Sequence, residues 1–334
     1  MTGQNLILQN KDISKMTVNR NKPDLWKADV ATSVDFYNNW FMMFAPKAFR
    51  ETRIETTKQV EIALHLTSNL TDIRPETLQQ NPFVLPMLRM ATCPPIARDR
   101  LIGLASVSPN LVKSMEIDNR VPPKMSHTQL TEDLLKIGHI IERMADPDIL
   151  VWKERGDKGS IEEVQRASTV IADRLCGSVA DPIIRNAQEK RQLLAIKEWL
   201  ENRGYRQLNQ NEADDFMSMP NGTFSFRFNV AVSLEDGKQI NIPVDAVIMP
   251  KNAKKDEIPI LIEAKSAGDF TNTNKRRKEE AIKIQQLRKT YGEKVAFNLF
   301  LCGYFDSGYL GYEASEGIDW LWEHRIDDLA GFGL

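Results

Sequence analysis

The sequence predicts a mixed α/β (α+β) protein: a large helical region over residues 1–180, then a mixed-sheet core over 181–334 that ends in an acidic tail. Three observations predict it. Apolar residues recur at helical spacing through the first 150 residues. Beyond Gly204 the recurrence changes to every second residue, the period of a half-buried strand. A charged helical stretch then separates the third apolar run from a fourth, so the strands form one mixed sheet.

The elements follow in order. Val34, Phe36, Tyr37, Trp40 and Phe41, and then Val60, Ile62, Ala63 and Leu66, mark helix faces. Residues 128–144 place Leu130, Leu134, Leu135, Ile137, Ile140 and Ile141 on one side of another helix. Prolines at 75, 82, 86, 94, 95, 109, 122 and 123 divide these pieces. The run Trp40-Phe41-Met42-Met43-Phe44 reads as core packing. Asp181-Pro182 is expected to open a helix running to about 203, with Leu193, Leu194, Ile196, Trp199 and Leu200 on its apolar side and Gly204 to end it.

The strands come next. Phe224, Phe226, Phe228, Val230 and Val232 alternate with more polar residues. Asp236-Gly237 is a hairpin dipeptide, and Ile240, Ile242, Val244, Ala246 and Ile248 alternate again. A lysine-bearing loop leads to a third run over 258–266. A charged helix follows over about 274–291, ended by Gly292, and then a run over 295–302 apolar enough to be buried on both faces. The tail from Tyr304 holds Asp306, Glu313, Glu316, Asp319, Glu323, Asp327 and Asp328 against Arg325 alone.

Composition bounds the function. Of 334 residues 42% are hydrophobic and 27% charged, which fits a folded globular chain and excludes extensive disorder. The formal net charge is -2, so any nucleic-acid surface must be a local basic patch. The longest purely apolar run, residues 40–45, is far short of the roughly 20 that a bilayer crossing needs. No secretory signal is visible, and a cytoplasmic location is expected. Cys93, Cys176 and Cys302 are too far apart for metal-ligand spacing and read as buried free thiols. The four histidines are scattered, without the HExxH spacing of a zinc hydrolase.

The chemistry concentrates on two strand segments, Pro243-Val244-Asp245-Ala246 and Ile262-Glu263-Ala264-Lys265. Residues two apart share a face of a strand, so Glu263 and Lys265 project together while Ile262 and Ala264 point away. If the two strands pair as a hairpin, Asp245 sits beside Glu263. Buried charge without a partner is costly. A divalent cation relieves the repulsion of two carboxylates, and Mg²⁺ takes one or two carboxylates together with waters and substrate phosphate. Lys265 would then hold or deprotonate an attacking water and offset transition-state charge. These parts suffice to hydrolyse a phosphodiester. A lone Glu-x-Lys triplet is commonly a solvent-face ion pair. Here it coincides with a Pro-x-Asp on the preceding strand, apolar flanks, a basic helix immediately after it, and this strand order.

Pro243-Val244-Asp245, seventeen intervening residues and Glu263-Ala264-Lys265 resemble the motif of the PD-(D/E)XK nucleases, with Pro243 one position further from the aspartate than the pattern's name suggests. Within that superfamily the chain is similar to the XamI type II restriction endonuclease family. The carrying stretches are Leu261-Ile262-Glu263-Ala264-Lys265-Ser266-Ala267-Gly268-Asp269-Phe270, continuing to Ala281, and Pro94-Pro95-Ile96-Ala97-Arg98-Asp99-Arg100-Leu101. The likeness is close over about 181–303 and weaker in the helical half.

The resemblance implies a restriction-endonuclease-like core, Asp245 and Glu263 as ligands of Mg²⁺, and Lys265 as the catalytic lysine. Many relatives add a glutamate from the first core helix; Glu189 and Glu198 are both candidates. It further implies a homodimer in a prokaryotic cytoplasm that cuts double-stranded DNA at a short specific sequence, with a cognate DNA methyltransferase protecting the host. Residues 1–180 would serve recognition or dimerisation.

Residues 251–290 carry eleven basic residues against six acidic ones. Such a patch neutralises phosphates. Thr271, Asn272 and Asn274 offer helix caps and base or phosphate contacts beside Lys275, Arg276 and Arg277. Arg89, Arg98 and Arg100 either reach DNA or pair with acids inside the helical region. Two alternatives use the same residues: a repair or recombination nuclease without sequence preference, and a DNA-binding module without catalysis.

Overall fold

The computed structural model describes residues 17–209, 212–213, 215–234, 237–271 and 273–334, with the backbone alone at 274–276. Two compact units divide the chain. One holds the described residues up to Met43 together with Arg185–Leu334, and the other is Phe44–Ile184.

Eight α-helices come first among the described residues: α1 (Pro23–Leu66), α2 (Pro75–Gln80), α3 (Leu85–Met90), α4 (Arg98–Ala105), α5 (Pro109–Ile117), α6 (His127–Met144), α7 (Val151–Arg155) and α8 (Ile161–Glu201). The unit Phe44–Ile184 is all helical in its regular structure. Its core gathers Leu78, Leu85, Leu88, Leu101, Leu111, Leu134, Ile137, Trp152 and Ile171, all fully buried. A buried ion cluster sits beside this core. Glu116 accepts from Arg89 Nε at 2.6 Å and from Arg98 Nε at 2.7 Å, so these two arginines pair inside the unit; Arg100 is exposed.

The sheet unit carries β1 (Arg206–Gln207), β2 (Thr223–Ser233), β3 (Gln239–Met249), β4 (Ile260–Ala267), α9 (Thr273–Tyr291), β5 (Phe297–Gly303), α10 (Ser307–Ser315) and β6 (Asp319–Trp322). The strands lie in the order β1-β2-β3-β4-β5-β6. The pairs β2/β3 and β3/β4 are antiparallel, whereas β1/β2, β4/β5 and β5/β6 are parallel. Helix α9 supplies the crossover that a parallel β4/β5 pair requires.

Each face of the sheet buries its own cluster. Leu261, Leu299, Leu301, Trp320 and Trp322 pack with Ile284 and Leu287 of α9 and Tyr309 and Leu310 of α10. Ile260, Ile262, Phe300 and Leu321 pack with Ile196, Trp199 and Leu200 of α8 and with Leu329 and Phe332. At about 25 cal/mol per Å² of apolar area, each fully buried Leu, Ile or Phe adds roughly 1.5–3 kcal/mol. The sheet is therefore anchored from both sides.

The β2–β3 hairpin changes sides along its length. Phe224, Phe226, Ala246 and Ile248 belong to the cluster beneath α8. Phe228, Val230, Val232, Ile242 and Val244, of the same alternation parity, belong to the cluster beneath α9. The changeover falls between Phe226↔Ala246 and Phe228↔Val244, where Arg227 and Asp245 stand opposite. Arg227 has φ 53°, a left-handed conformation that costs an ordinary side chain on the order of 1 kcal/mol or more.

Several expectations need correction. Asp181-Pro182 does not open a helix: α8 runs through it. Pro182 and Ser178 are both exposed, so the carbonyl deprived of its partner faces solvent and the helix survives. Phe41, Met42 and Met43 are 40%, 63% and 81% exposed, not core. Cys93 is exposed as well; only Cys176 and Cys302 are buried.

The acidic tail is folded structure. It forms α10, β6 and a 3-10 helix over Glu323–Phe332. Asp319 accepts from the backbone N–H groups of Val18, Asn19 and Arg20. Glu323 pairs with Arg191, Asp327 with Arg203, and Asp328 with Arg325. Strands β1 and β6 escaped the alternation rule, the first for its two residues, the second because all four of its residues are buried. The hairpin glycine, Gly237, has φ 82°, as its turn demands; Asp236 lies outside the described residues.

Glu116 has a side chain only 2% exposed between two guanidinium groups. Glu116→Gln strands both arginines, so thermal unfolding should report a loss on the order of 3 kcal/mol. Arg100→Ala, at an exposed position, should stay within about 0.5 kcal/mol.

Candidate active site

The β3/β4 ladder runs through Ile248↔Ile260, Val247↔Leu261 and Ala246↔Ile262. One further step in that register brings Asp245 opposite Glu263, as the hairpin reading requires. There the strands part. Asp245 Oδ2 accepts the Ala264 N–H at 2.8 Å, supplying the partner that the ladder no longer offers. Glu263 is buried, and its Oε1 accepts from two ammonium groups, Lys265 Nζ at 3.1 Å and Lys283 Nζ at 2.6 Å. Its Oε2 is buried and meets no hydrogen-bond partner among the described residues. The structure thus brings Asp245, Glu263 and Lys265 together.

A second layer of charge lies behind them. Glu280 of α9 is fully buried, with Oε1 3.5 Å from Lys265 Nζ, and its Oε2 accepts from the Tyr309 hydroxyl at 3.3 Å. Glu313 of α10 is also fully buried and feels the charge of Glu280. Burial pushes the Asp245 carboxyl up to about 6; repulsion from Glu263 adds to the rise, while the Ala264 N–H and Lys265 oppose it. Burial likewise raises Glu280 to about 7 against the pull of Lys265, and Glu313 to about 8 with help from Glu280 and Glu316. Burial works to lower Lys265, but Glu263 and Glu280 outweigh it, and the ammonium is held above its ordinary value.

The backbone around Lys265 is braced from the α8 side. Gln192 Nε2 donates to the Phe300 carbonyl at 3.1 Å and the Lys265 carbonyl at 3.4 Å, and the Ser266 hydroxyl donates to Gln192 Oε1 at 3.0 Å. Of the two candidate helix glutamates, Glu189 is the one whose charge reaches Asp245. It accepts from Arg227 at 2.7 Å. Glu198 is exposed and is not among the groups acting on Asp245.

The residues expected at DNA fall before and inside α9. Thr271 is exposed, and its N–H and hydroxyl both donate to Asp269 Oδ1. Asn272 lies outside the described residues. Asn274, Lys275 and Arg276 occupy the first turn of α9. The Arg277 guanidinium lies over the Tyr312 ring, 5.0 Å from its centroid.

Reading by strand period misses Glu280, Lys283 and Arg227. A signal for the first exists: Glu280, Ile284 and Leu287 share one helical stripe, an acid among apolar residues. Glu313 likewise follows Tyr309 and Leu310 by four and three residues.

The donor set suits a hard divalent cation. Two carboxylates stand at opposite positions of adjacent strands; one has an unpartnered buried oxygen, and the other is raised by burial first and by repulsion from that neighbour second. Among the described residues no three His, Cys, Asp or Glu side chains form a ready-made cage. The protein would supply the two carboxylates and leave other positions to water and phosphate oxygen, the habit of Mg²⁺.

Comparison with known proteins identifies the family. The model of the XamI restriction endonuclease family matches residues 68–322. The chain is 51% identical to the type II restriction enzyme SalI of Streptomyces albus G over 316 residues, which cover 95% of this chain and 99% of that one. No solved structure matches.

Unfolding returns Glu313 to water and to its ordinary value of 4.5, whereas folding holds it near 8. Between those values the folded chain binds more protons, so this group's contribution to stability is full below about pH 4.5 and is lost as pH rises through about 8. Glu313→Gln should therefore raise the stability at about pH 8.5 by on the order of 2 kcal/mol, and change it little near pH 4. Melting curves across that range check it.

Proposed function

The chain belongs to the XamI restriction endonuclease family and is a site-specific DNA endonuclease, and from that premise we propose that Asp245, Glu263 and Lys265 form its phosphodiester-cleaving centre. The core would be of the PD-(D/E)XK type. What supports this reading above all is the convergence of the three side chains where β3 and β4 part. Asp245 and Glu263 would hold Mg²⁺, with Glu189 as a supporting acid. Mg²⁺, when bound, polarises a phosphoryl oxygen and makes water a stronger acid.

The remaining work falls to the protein's own groups. Glu263 and Glu280 keep Lys265 protonated, so its ammonium is suited to orient the attacking water and to stabilise charge on the phosphoryl oxygens. That favours an electrostatic role for Lys265 over a basic one. Gln192 and Ser266 fix the strand that carries it. Departure of the 3′ oxygen leaves 5′-phosphate and 3′-hydroxyl ends.

The DNA duplex would lie across the start of α9, with Thr271, Asn272, Asn274, Lys275, Arg276 and Arg277 on its backbone and base edges. Residues 1–180 would serve recognition or dimerisation, and residues 181–334 would form the nuclease core. A two-fold symmetric cut suits a homodimer. A cognate DNA methyltransferase would protect the same sites in the prokaryotic cytoplasm.

Plasmid digested with Mg²⁺ should give discrete fragments, and Lys265→Ala should lower the cleavage rate by about 10³-fold while leaving DNA affinity nearly unchanged. A smear would instead indicate a nuclease without sequence preference. DNA binding without cleavage in any divalent ion would indicate a non-catalytic module.

A further inference from the structure

Glu263 carries one charge and meets two lysines, and both approach the same oxygen. Lys265 is also held from behind by Glu280, at 3.5 Å. Lys283 is not braced in that way. It lies three residues beyond Glu280, hence on the same face of α9. Its Nζ is 2.6 Å from Glu263 Oε1, with a further, long contact of 3.4 Å to the Pro243 carbonyl. Its side chain is 23% exposed, against 8% for Glu263, so the ammonium can leave toward solvent without crossing the core.

A carboxylate that is to hold a divalent cation cannot keep a full ammonium pressed against it, because the two positive charges repel at short range. One of the two cations must yield, and Lys283 is the one placed to do so. It also extends the basic stretch of α9 to the edge of the cleavage site, where a phosphate of bound DNA would be its natural new partner.

We infer that Lys283 is a placeholder cation: in the DNA-free protein it occupies Glu263 and holds down the site's affinity for divalent metal, and it moves to a DNA phosphate when the duplex binds. This rests on the reading of Asp245 and Glu263 as the metal ligands. The transfer would make metal loading conditional on DNA, without a separate lid or domain movement.

The test uses the full chain. Mn²⁺ binding without DNA is followed by the loss of the free-ion EPR signal in wild type, Lys283→Met, Lys283→Gln, Lys283→Arg and Glu263→Gln. The two uncharged variants should bind Mn²⁺ at least about tenfold more tightly than wild type. Lys283→Arg, which keeps the charge, should stay close to wild type. In EDTA, the salt dependence of binding to a duplex carrying the cleavage site should fall by about 0.9 in log–log slope for Lys283→Met. Unchanged or weaker Mn²⁺ affinity in both uncharged variants, with binding lost in Glu263→Gln, overturns the placeholder role alone. Binding that survives Glu263→Gln overturns the metal-site reading and the placeholder with it.

Discussion

Two carboxylates held side by side where a pair of strands separates are the constraint around which this core is arranged. Asp245 and Glu263 occupy the first position past the end of the β3/β4 ladder, where burial, and then repulsion from Glu263, raises the Asp245 carboxyl. Like charges in a poorly solvated place must be neutralised, protonated or bridged. The chain uses the first two means internally. Lysines 265 and 283 neutralise Glu263, and Glu280 and Glu313 are pushed toward their protonated forms. The unpartnered Glu263 Oε2 leaves room for the third.

The β2–β3 hairpin explains why Asp245 can stand there. A regular strand pair would keep its even-numbered residues on one face throughout. Here the apolar side rolls over between Phe226 and Phe228, and Arg227 absorbs the change with a left-handed backbone. Strain of that kind persists only where packing over-determines it. Phe224 on one side of the roll and Val230 on the other are both fully buried, and they supply that packing. The roll lets Asp245 turn to the Ala264 N–H, and it presents Arg227 to Glu189.

Much of the site was legible because its signal is local. Glu263 and Lys265 alternate with Ile262 and Ala264 within one strand, and Asp245 interrupts an equally plain alternation. The charged helix and its glycine stop were legible too, since Gly292 has φ 87° and donates to the Arg288 carbonyl at 2.8 Å. What escaped depends on partners distant in sequence. Lys283 reads as one more solvated lysine until α9 lies against β4. The acids after Tyr304 read only as an acidic tail because Arg191, Arg203 and the N–H groups of residues 18–20 are more than a hundred residues away. Pro182 looked like a helix boundary because local rules do not register that its surroundings are open to water. The choice between Glu189 and Glu198 was closed to spacing alone, since both lie on one continuous helix and only the sheet's position distinguishes them.

The same long-range pairing bears on how a chain of formal charge -2 can serve a polyanionic substrate. Net charge counts every ionised group equally, but the field that DNA meets depends on which charges are already matched. Glu116 is matched by Arg89 and Arg98, Glu323 by Arg191, and Asp328 by Arg325, while Asp319 is bound to backbone N–H groups. Burial raises both Glu280 and Glu313 well above the ordinary carboxylate range. Several of the acids that bring the total below zero are thus withdrawn from the surface or compensated on the spot. The basic excess of residues 251–290 is not cancelled in the same way, because only six acids accompany eleven cations there and two of those six, Glu263 and Glu280, are buried. A nearly neutral composition is therefore compatible with a cleavage site approached through positive potential.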